Sequence, residues 1–233
     1  MAVSSLLSKL CVMLRSSDHL TAPNPANTGK VLVNLLIGWC FTILYAIPAL
    51  AGTEFTPWPV TKGALLVASP SLTDQNFHQS VVLILEHGPA GTVGLILNRS
   101  TKVLLSEALP NLPVLKGTTY LLFAGGPVEV TRMHLLFRLR EPPTDVRALF
   151  DGVYAGGTPD MLARIITQPK PTETFRAFAG YASWAPRQLE AEMGLGAWAA
   201  LPPDAASIFD QDPATLWKNC LRRLQAPRVI SSR

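Results

Sequence analysis

Charge is scarce in this chain: Asp, Glu, Lys and Arg together make up 15% of its 233 residues. Cysteine is scarcer still, with Cys11, Cys40 and Cys220 standing singly and far apart. That excludes a disulfide scaffold and any cysteine-built zinc cage. The low charge, set beside 48% hydrophobic residues, excludes an intrinsically disordered chain. Missing too are the H-E-x-x-H zinc pair, the G-x-S-x-G nucleophile elbow, the phosphate-binding P-loop and the G-x-G-x-x-G fingerprint. No repeat of solenoid length occurs. What remains is one globular domain, long enough to bury a core, with an appendage at its front.

That appendage is apolar. Sixteen of the twenty residues from Val31 to Leu50 are hydrophobic, and no charge interrupts them. A run of about 20 apolar residues can cross a bilayer as a helix. It ends in Pro48-Ala49-Leu50-Ala51-Gly52, a helix breaker followed by an A-x-A cleavage signal. Residues 31–51 therefore read as a signal peptide or a single transmembrane helix. Lys30 on the near side would leave the following domain outside the cytoplasm in either case. The expected location is periplasmic, or membrane-anchored facing outward. If the gene start is over-extended and residues 1–30 are untranslated, the location becomes cytoplasmic. Those first 30 residues, with a Ser/Thr/Asn/Pro stretch at 16–28, carry no folding pattern.

The sequence pI near 9.1 suggests a nucleic-acid binder until the charges are located. Arg222, Arg223, Arg228 and Arg233 lie in the last twelve residues with no acid among them. Residues 52–221 hold 13 basic and 15 acidic residues, so the domain body is slightly acidic. A nucleic-acid footprint needs cations clustered on one face. Arg138, Arg140 and Arg147 are interleaved with Glu141 and Asp145, which reads as a solvated charged edge. Nucleic acid is disfavoured as a partner, a protein or small-molecule ligand remains open, and a membrane contact would run through residues 31–51.

Along the domain, strands are predicted at residues 63–69, 80–86, 92–98, 119–124, 133–139, 175–181 and 197–201. The second and third, joined by His87-Gly-Pro-Ala-Gly91, predict an antiparallel hairpin, with Gly94 marking a bulge or close backbone approach. Helices are predicted over 103–109, over 158–166 with Thr158 as N-cap and Pro159 at N1, over 186–193, and over 212–224 with Asp212 as N-cap. Regular strand–helix alternation is lacking, so the fold class is α+β: a mainly antiparallel sheet or barrel core flanked by a few helices, plus an N-terminal hydrophobic helix. The domain spans 52–224, and 225–233 is a basic tail.

Read in order, several segments resemble the bacterial YqgE/AlgH family. They are Leu66-Val-Ala-Ser-Pro-Ser-Leu-Thr-Asp74, Phe77-His-Gln-Ser-Val-Val82 with Glu86-His87, Gly94-Leu-Ile-Leu-Asn98, Gly125-Gly-Pro-Val128, and Gly180-Tyr-Ala-Ser-Trp184 followed by Gln188-Leu-Glu190 and Ala197-Trp198. The resemblance covers about residues 63–224. It implies an α+β fold whose molecular function is not established, and the AlgH name implies a regulatory role in alginate production. The chain departs from the family in Ser100, where members usually carry proline, and in its hydrophobic leader. An exported copy could not reach a promoter, which lowers the transcriptional-regulator reading.

The candidate ligand-binding residues are Asp74, Glu86, His87, Asn98, Gly125, Gly126 and Trp184. His87 suits acid–base work near neutral pH, but adjacent strand residues face opposite ways, so Glu86 cannot simply pair with it. Asp74, His78 or Asn98 would have to complete a site. The simpler reading is a turn histidine. Gly125-Gly126 could present amides to an anion or form a tight turn. Trp184 and Trp198 could form an exposed aromatic patch or cover a helix. No catalytic residue, metal ligand set or cofactor is assigned. The domain reads as a non-catalytic binding or regulatory module, with a hydrolase-like enzyme using His87 and Asp74 or Glu86 as the alternative.

Overall fold

The structure, a computed structural model, describes residues 58–141, 146–156 and 158–226. The predicted hydrophobic helix at 31–51, the leader before it and most of the basic tail lie outside the described residues. Among the described residues no helix is long and apolar enough to cross a membrane.

Ten strands form one curled sheet: β1 (Leu65–Ala68), β2 (Val81–Gly88), β3 (Gly91–Ile96), β4 (Ser100–Leu104), β5 (Leu121–Ala124), β6 (Val128–Arg138), β7 (Val146–Phe150), β8 (Val153–Gly156), β9 (Thr174–Trp184) and β10 (Trp198–Leu201). The order is β10-β1-β2-β3-β9-β6-β8-β7, with β4 and β5 forming a flap beside β9. The β5–β9 pairing is parallel and the other pairings are antiparallel. The helices are α1 (Leu105–Ala108), α2 (Pro159–Thr167), α3 (Gln188–Gly194), α4 (Ala205–Phe209) and α5 (Pro213–Gln225), with a 3-10 turn at Pro113–Leu115. The mostly antiparallel α+β reading holds for these residues.

Period-2 alternation explains how the sheet is covered. In β1 all four residues are buried because both faces are roofed. Leu65 and Val67 enter an inner core closed by Ile208, Leu216, Trp217 and Cys220 of α4 and α5. Leu66 and Ala68 enter an outer core under Leu189 of α3. Trp217 Nε1 donates to the Ala68 carbonyl at 2.8 Å and ties α5 to β1. A third core gathers Leu105, Leu115, Phe137, Met161, Leu162 and Phe175 beneath α1 and α2.

Helix ends follow the predicted caps: Thr158 accepts from Met161 N–H and Asp212 from Ala214 N–H. The predicted hairpin is β2–β3, with a bulge between Ile84 and Glu86 opposite Gly94. A Cβ at Gly94 would lie 2.6 Å from Val82 Cγ1, so that glycine serves a close approach.

Three elements differ from the sequence reading. Residues 103–104 are strand, because β4 pairs with β5 and Thr101 Oγ1 donates to the Leu122 carbonyl, leaving the helix only Leu105–Ala108. The β7–β8 hairpin was not predicted, although its turn contains Asp151-Gly152 with Gly152 at φ +71°. Helix α4, capped by Asp204, was also not predicted.

The curl brings β7 beside β2 without a backbone ladder between them among the described residues. Side chains bridge this seam. Arg147 pairs with Glu86, and Lys62 Nζ donates to the Ala148 carbonyl at 3.0 Å.

Candidate functional site

A groove of about 650 Å³ opens beside the seam, where β2, β6, β7 and β8 meet the start of α2. Its floor is aliphatic: Leu85, Leu95, Leu109, Leu112, Leu135 and Leu162. Its polar groups are Glu86, Arg132, His134 and Arg147. Volume and lining match the usual small-ligand cleft, apolar with a few placed polar groups.

The rim is built by an irregularity in β6. Register jumps from Val128 opposite Tyr181 to Met133 opposite Ala179, so residues 129–132 bulge from the ladder. Glu129 takes a left-handed conformation there, φ +42°, rare for a residue with a Cβ. Its carboxylate accepts from Tyr181 Oη at 3.1 Å and Arg132 Nη1 at 3.2 Å. These two bonds hold the Glu129 carboxyl below its ordinary pKa. The Tyr181 phenol is pushed above its usual value by desolvation and by the Glu129 carboxylate.

His134 lies behind this rim, its ring edge-on to Tyr181 with centroids 5.6 Å apart. Its Nε2 is buried and has no hydrogen-bond partner. Burial, followed by the nearby Arg132 charge, holds the imidazole pKa below its normal value, with Glu129 opposing and Arg147 adding to the effect. The nitrogen is covered by protein, so it stands behind the groove wall and not on its surface.

A sequence model of a family described as AlgH-like matches residues 65–228. The chain belongs to the AlgH-like family. It is similar to a UPF0301 protein of Myxococcus xanthus, 37% identical over 161 residues, covering 68% of this chain and 87% of the relative. A UPF0301 protein of Streptomyces avermitilis is 36% identical over 169 residues, covering 69% and 85%. The solution structure of the AlgH protein from Pseudomonas aeruginosa superposes with a TM-score of 0.59 at 28% identity, covering 73% of this chain and 92% of that one. A crystal structure of a Corynebacterium diphtheriae protein superposes with a TM-score of 0.62 at 25% identity, covering 74% and 91%.

In this AlgH-like domain the sequence-predicted residues do not converge on one place. Glu86 lines the groove and pairs with Arg147. Its neighbour His87 turns away, with Nδ1 2.8 Å from Thr92 Oγ1 and Nε2 3.7 Å from Glu190 Oε1. Asp74 and Asn98 belong to the other end of the hairpin. Asp74 Oδ1 accepts from Asn76 N–H, turning the loop before β2. Asn98 accepts from Val81 N–H and donates to the Gln79 carbonyl, pinning Gln79 at φ +51°. Val81 and His87 are six residues apart on β2, about 20 Å at roughly 3.3 Å per residue. The structure therefore does not bring His87 together with Asp74 or Asn98.

Gly125 and Gly126 mark a backbone crossing between β5 and β9. A Cβ on Gly126 would sit 2.1 Å from the Tyr181 carbonyl carbon, and one on Gly125 2.3 Å from the Gly180 oxygen. Gly126 also borders a shallow hollow of about 220 Å³ with Gln75, Asn76 and Arg99. Trp184 is buried in the core under α3. Trp184 and Trp198 both donate their indole N–H to Glu192 Oε2, at 3.0 and 2.8 Å, and Phe77 packs on both rings.

Sequence reasoning missed Arg132, His134 and Arg147 as one constellation. The available signal was the polar interruption Glu129-Val-Thr-Arg132 ahead of the apolar run from Met133, which is where the bulge lies.

Proposed function

We propose that this AlgH-like domain is a non-catalytic binding module and that the groove along β6 is its site. The observation carrying the reading is the aliphatic floor under a polar rim that holds Glu86, Arg132 and Arg147. Among the described lining residues none is Ser, Thr or Cys, so the groove offers a guest contact surface and charge but no hydroxyl or thiol nucleophile. Of the three arginines Arg138, Arg140 and Arg147, two are engaged: Arg138 forms a two-pronged pair with Asp210, and Arg147 binds Glu86.

The test uses 1-anilinonaphthalene-8-sulfonate, an amphipathic anion of groove size, as a fluorescent probe of the full chain. The expected result is one saturable site in the native protein, lost in Leu135→Trp, which fills the groove. Equal binding by that variant at unchanged stability would overturn the assignment.

The proposed setting is extracytoplasmic, supported by the uncharged apolar run at 31–50 and the alanines at its end. Intact mass and cell fractionation test it. A mass starting at Gly52, or the full chain in the membrane fraction, supports export. A cytoplasmic product starting near residue 60 contradicts it.

A further inference from the structure

The charges at the rim of the groove come in closed pairs. Arg147 Nη1 meets the Glu86 carboxylate, and Arg132 Nη1 meets the Glu129 carboxylate at 3.2 Å. Glu129 takes a second partner in the Tyr181 hydroxyl. Among the described lining residues Glu86, Arg132 and Arg147 are the charged ones. His134 adds no further charge near neutral pH, because burial first and the Arg132 charge second hold its imidazole pKa below the ordinary value. Two guanidiniums and two carboxylates therefore cancel at the mouth.

The floor beneath them is core left half finished. Leu109, Leu112, Met133 and Leu135 pack against the third core yet stay only partly buried, and all four line the groove. Removing their uncovered surface from water is favourable for whatever lies on it. Among the described lining residues none is Phe, Tyr or Trp, so the surface offered is aliphatic.

A charged guest gains little in such a place. An anionic head that reached Arg147 would also meet Glu86, and a cationic head that reached Glu86 would also meet Arg147. Either sheds water without an unpaired opposite charge to offset the loss. An uncharged hydroxyl or ester loses less on entry. Arg147 meets Glu86 through one nitrogen, and its guanidinium carries further N–H donors that such an oxygen can accept from.

Resting on the groove being the binding site, we propose that its occupant is a single uncharged lipid molecule, an aliphatic chain ending in a hydroxyl or ester. The chain lies on the leucine floor, and its oxygen head sits at the Glu86–Arg147 lip.

The experiment displaces 1-anilinonaphthalene-8-sulfonate, a reporter held by its rings, from the full chain at neutral pH. The competitors share a ten-carbon chain and differ in charge: 1-decanol, decanoate and decylammonium, each below its micelle concentration. The expected result is displacement by decanol at a concentration about tenfold lower than by either ion, with the two ions alike and insensitive to salt. Because the alcohol is also the most apolar of the three, Glu86→Gln supplies the stricter comparison. Freeing Arg147 should tighten decanoate about threefold, weaken decylammonium and leave decanol unchanged. Either ion matching decanol in the native chain, or a salt-dependent affinity, overturns the uncharged occupant. An unchanged decanoate affinity in Glu86→Gln overturns it as well, since the pair would then not set the neutrality of the rim. If the reporter binds, is lost in Leu135→Trp and yields to none of the three, the lipid falls and the binding site stands. If the reporter itself does not bind, both fall.

Discussion

Arg147 on β7 donates to the Glu86 carboxylate on β2 across a seam where the curled sheet closes without a ladder. The pair forms one lip of the groove. Its side chains remain 44% and 60% exposed, so water screens the attraction and its contribution to stability is small. Glu86→Gln should lower unfolding stability by less than about 1 kcal/mol, measured by denaturant midpoint. A loss several times larger would mean that this one ion pair holds the sheet closed.

The glycine crossing between β5 and β9 should behave oppositely. Gly126→Ala forces a Cβ against the Tyr181 backbone, which cannot swing aside as a side chain tip can. The expected cost is about 3 kcal/mol or more. Gly194, at the end of α3, has open space around it, and Gly194→Ala should raise stability by about 0.5–1 kcal/mol. Thermal unfolding of the two variants checks the contrast.

Glu192 collects two indole N–H groups on one oxygen, and Gln188 Nε2 holds the other at 2.9 Å. Glu192→Ala leaves both tryptophan donors in the α3 core without an acceptor, at a cost of about 2 kcal/mol or more. Glu192→Gln keeps one acceptor oxygen and should cost roughly half as much. Near-ultraviolet circular dichroism and unfolding midpoints report both. No loss in the alanine variant would show that water already serves these donors.

Two buried groups set opposite pH limits on stability. His134 is held below its ordinary pKa by burial, so the unfolded chain binds the proton first and the contribution fades as pH falls through the usual imidazole range. Cys220 has its thiol pushed up to about 11 by burial, against an ordinary value of 9.0. The unfolded chain then loses its proton first, and stability falls as pH rises above about 9. Unfolding midpoints from pH 5 to 10 should decline at both ends. His134→Gln should flatten the acid side and Cys220→Ala the alkaline side. A native thiol that reacts freely at pH 8 would contradict the Cys220 account.

Local chemistry was readable wherever neighbours in sequence decide the structure. Thr158 and Asp212 announce their helices, and the β2–β3 hairpin follows from two apolar runs around Gly88 and Gly91. Val103 and Leu104 read as helix in the sequence because a short apolar run fits either period, and pairing with β5 makes them strand. The β7–β8 hairpin escaped because Arg147 breaks a strand of five residues, although Asp151-Gly152 was there to be read. The site was less legible than the fold. Glu86 was among the candidates, but Arg132, His134 and Arg147 meet it only through the curl of the sheet, which no local pattern encodes. Asn98 and the Gly125-Gly126 pair stood out in sequence because they fix backbone turns and crossings, a demand as exacting as ligand binding.

The groove is tested most directly by leucine-methyl NMR of the full chain titrated with 1-anilinonaphthalene-8-sulfonate. The account predicts that the methyls of Leu85, Leu109, Leu135 and Leu162 shift together and saturate at one equivalent, while Leu121 and Leu195, exposed on other surfaces, stay still. Shifts at Leu121 and Leu195 with none in the groove would contradict it.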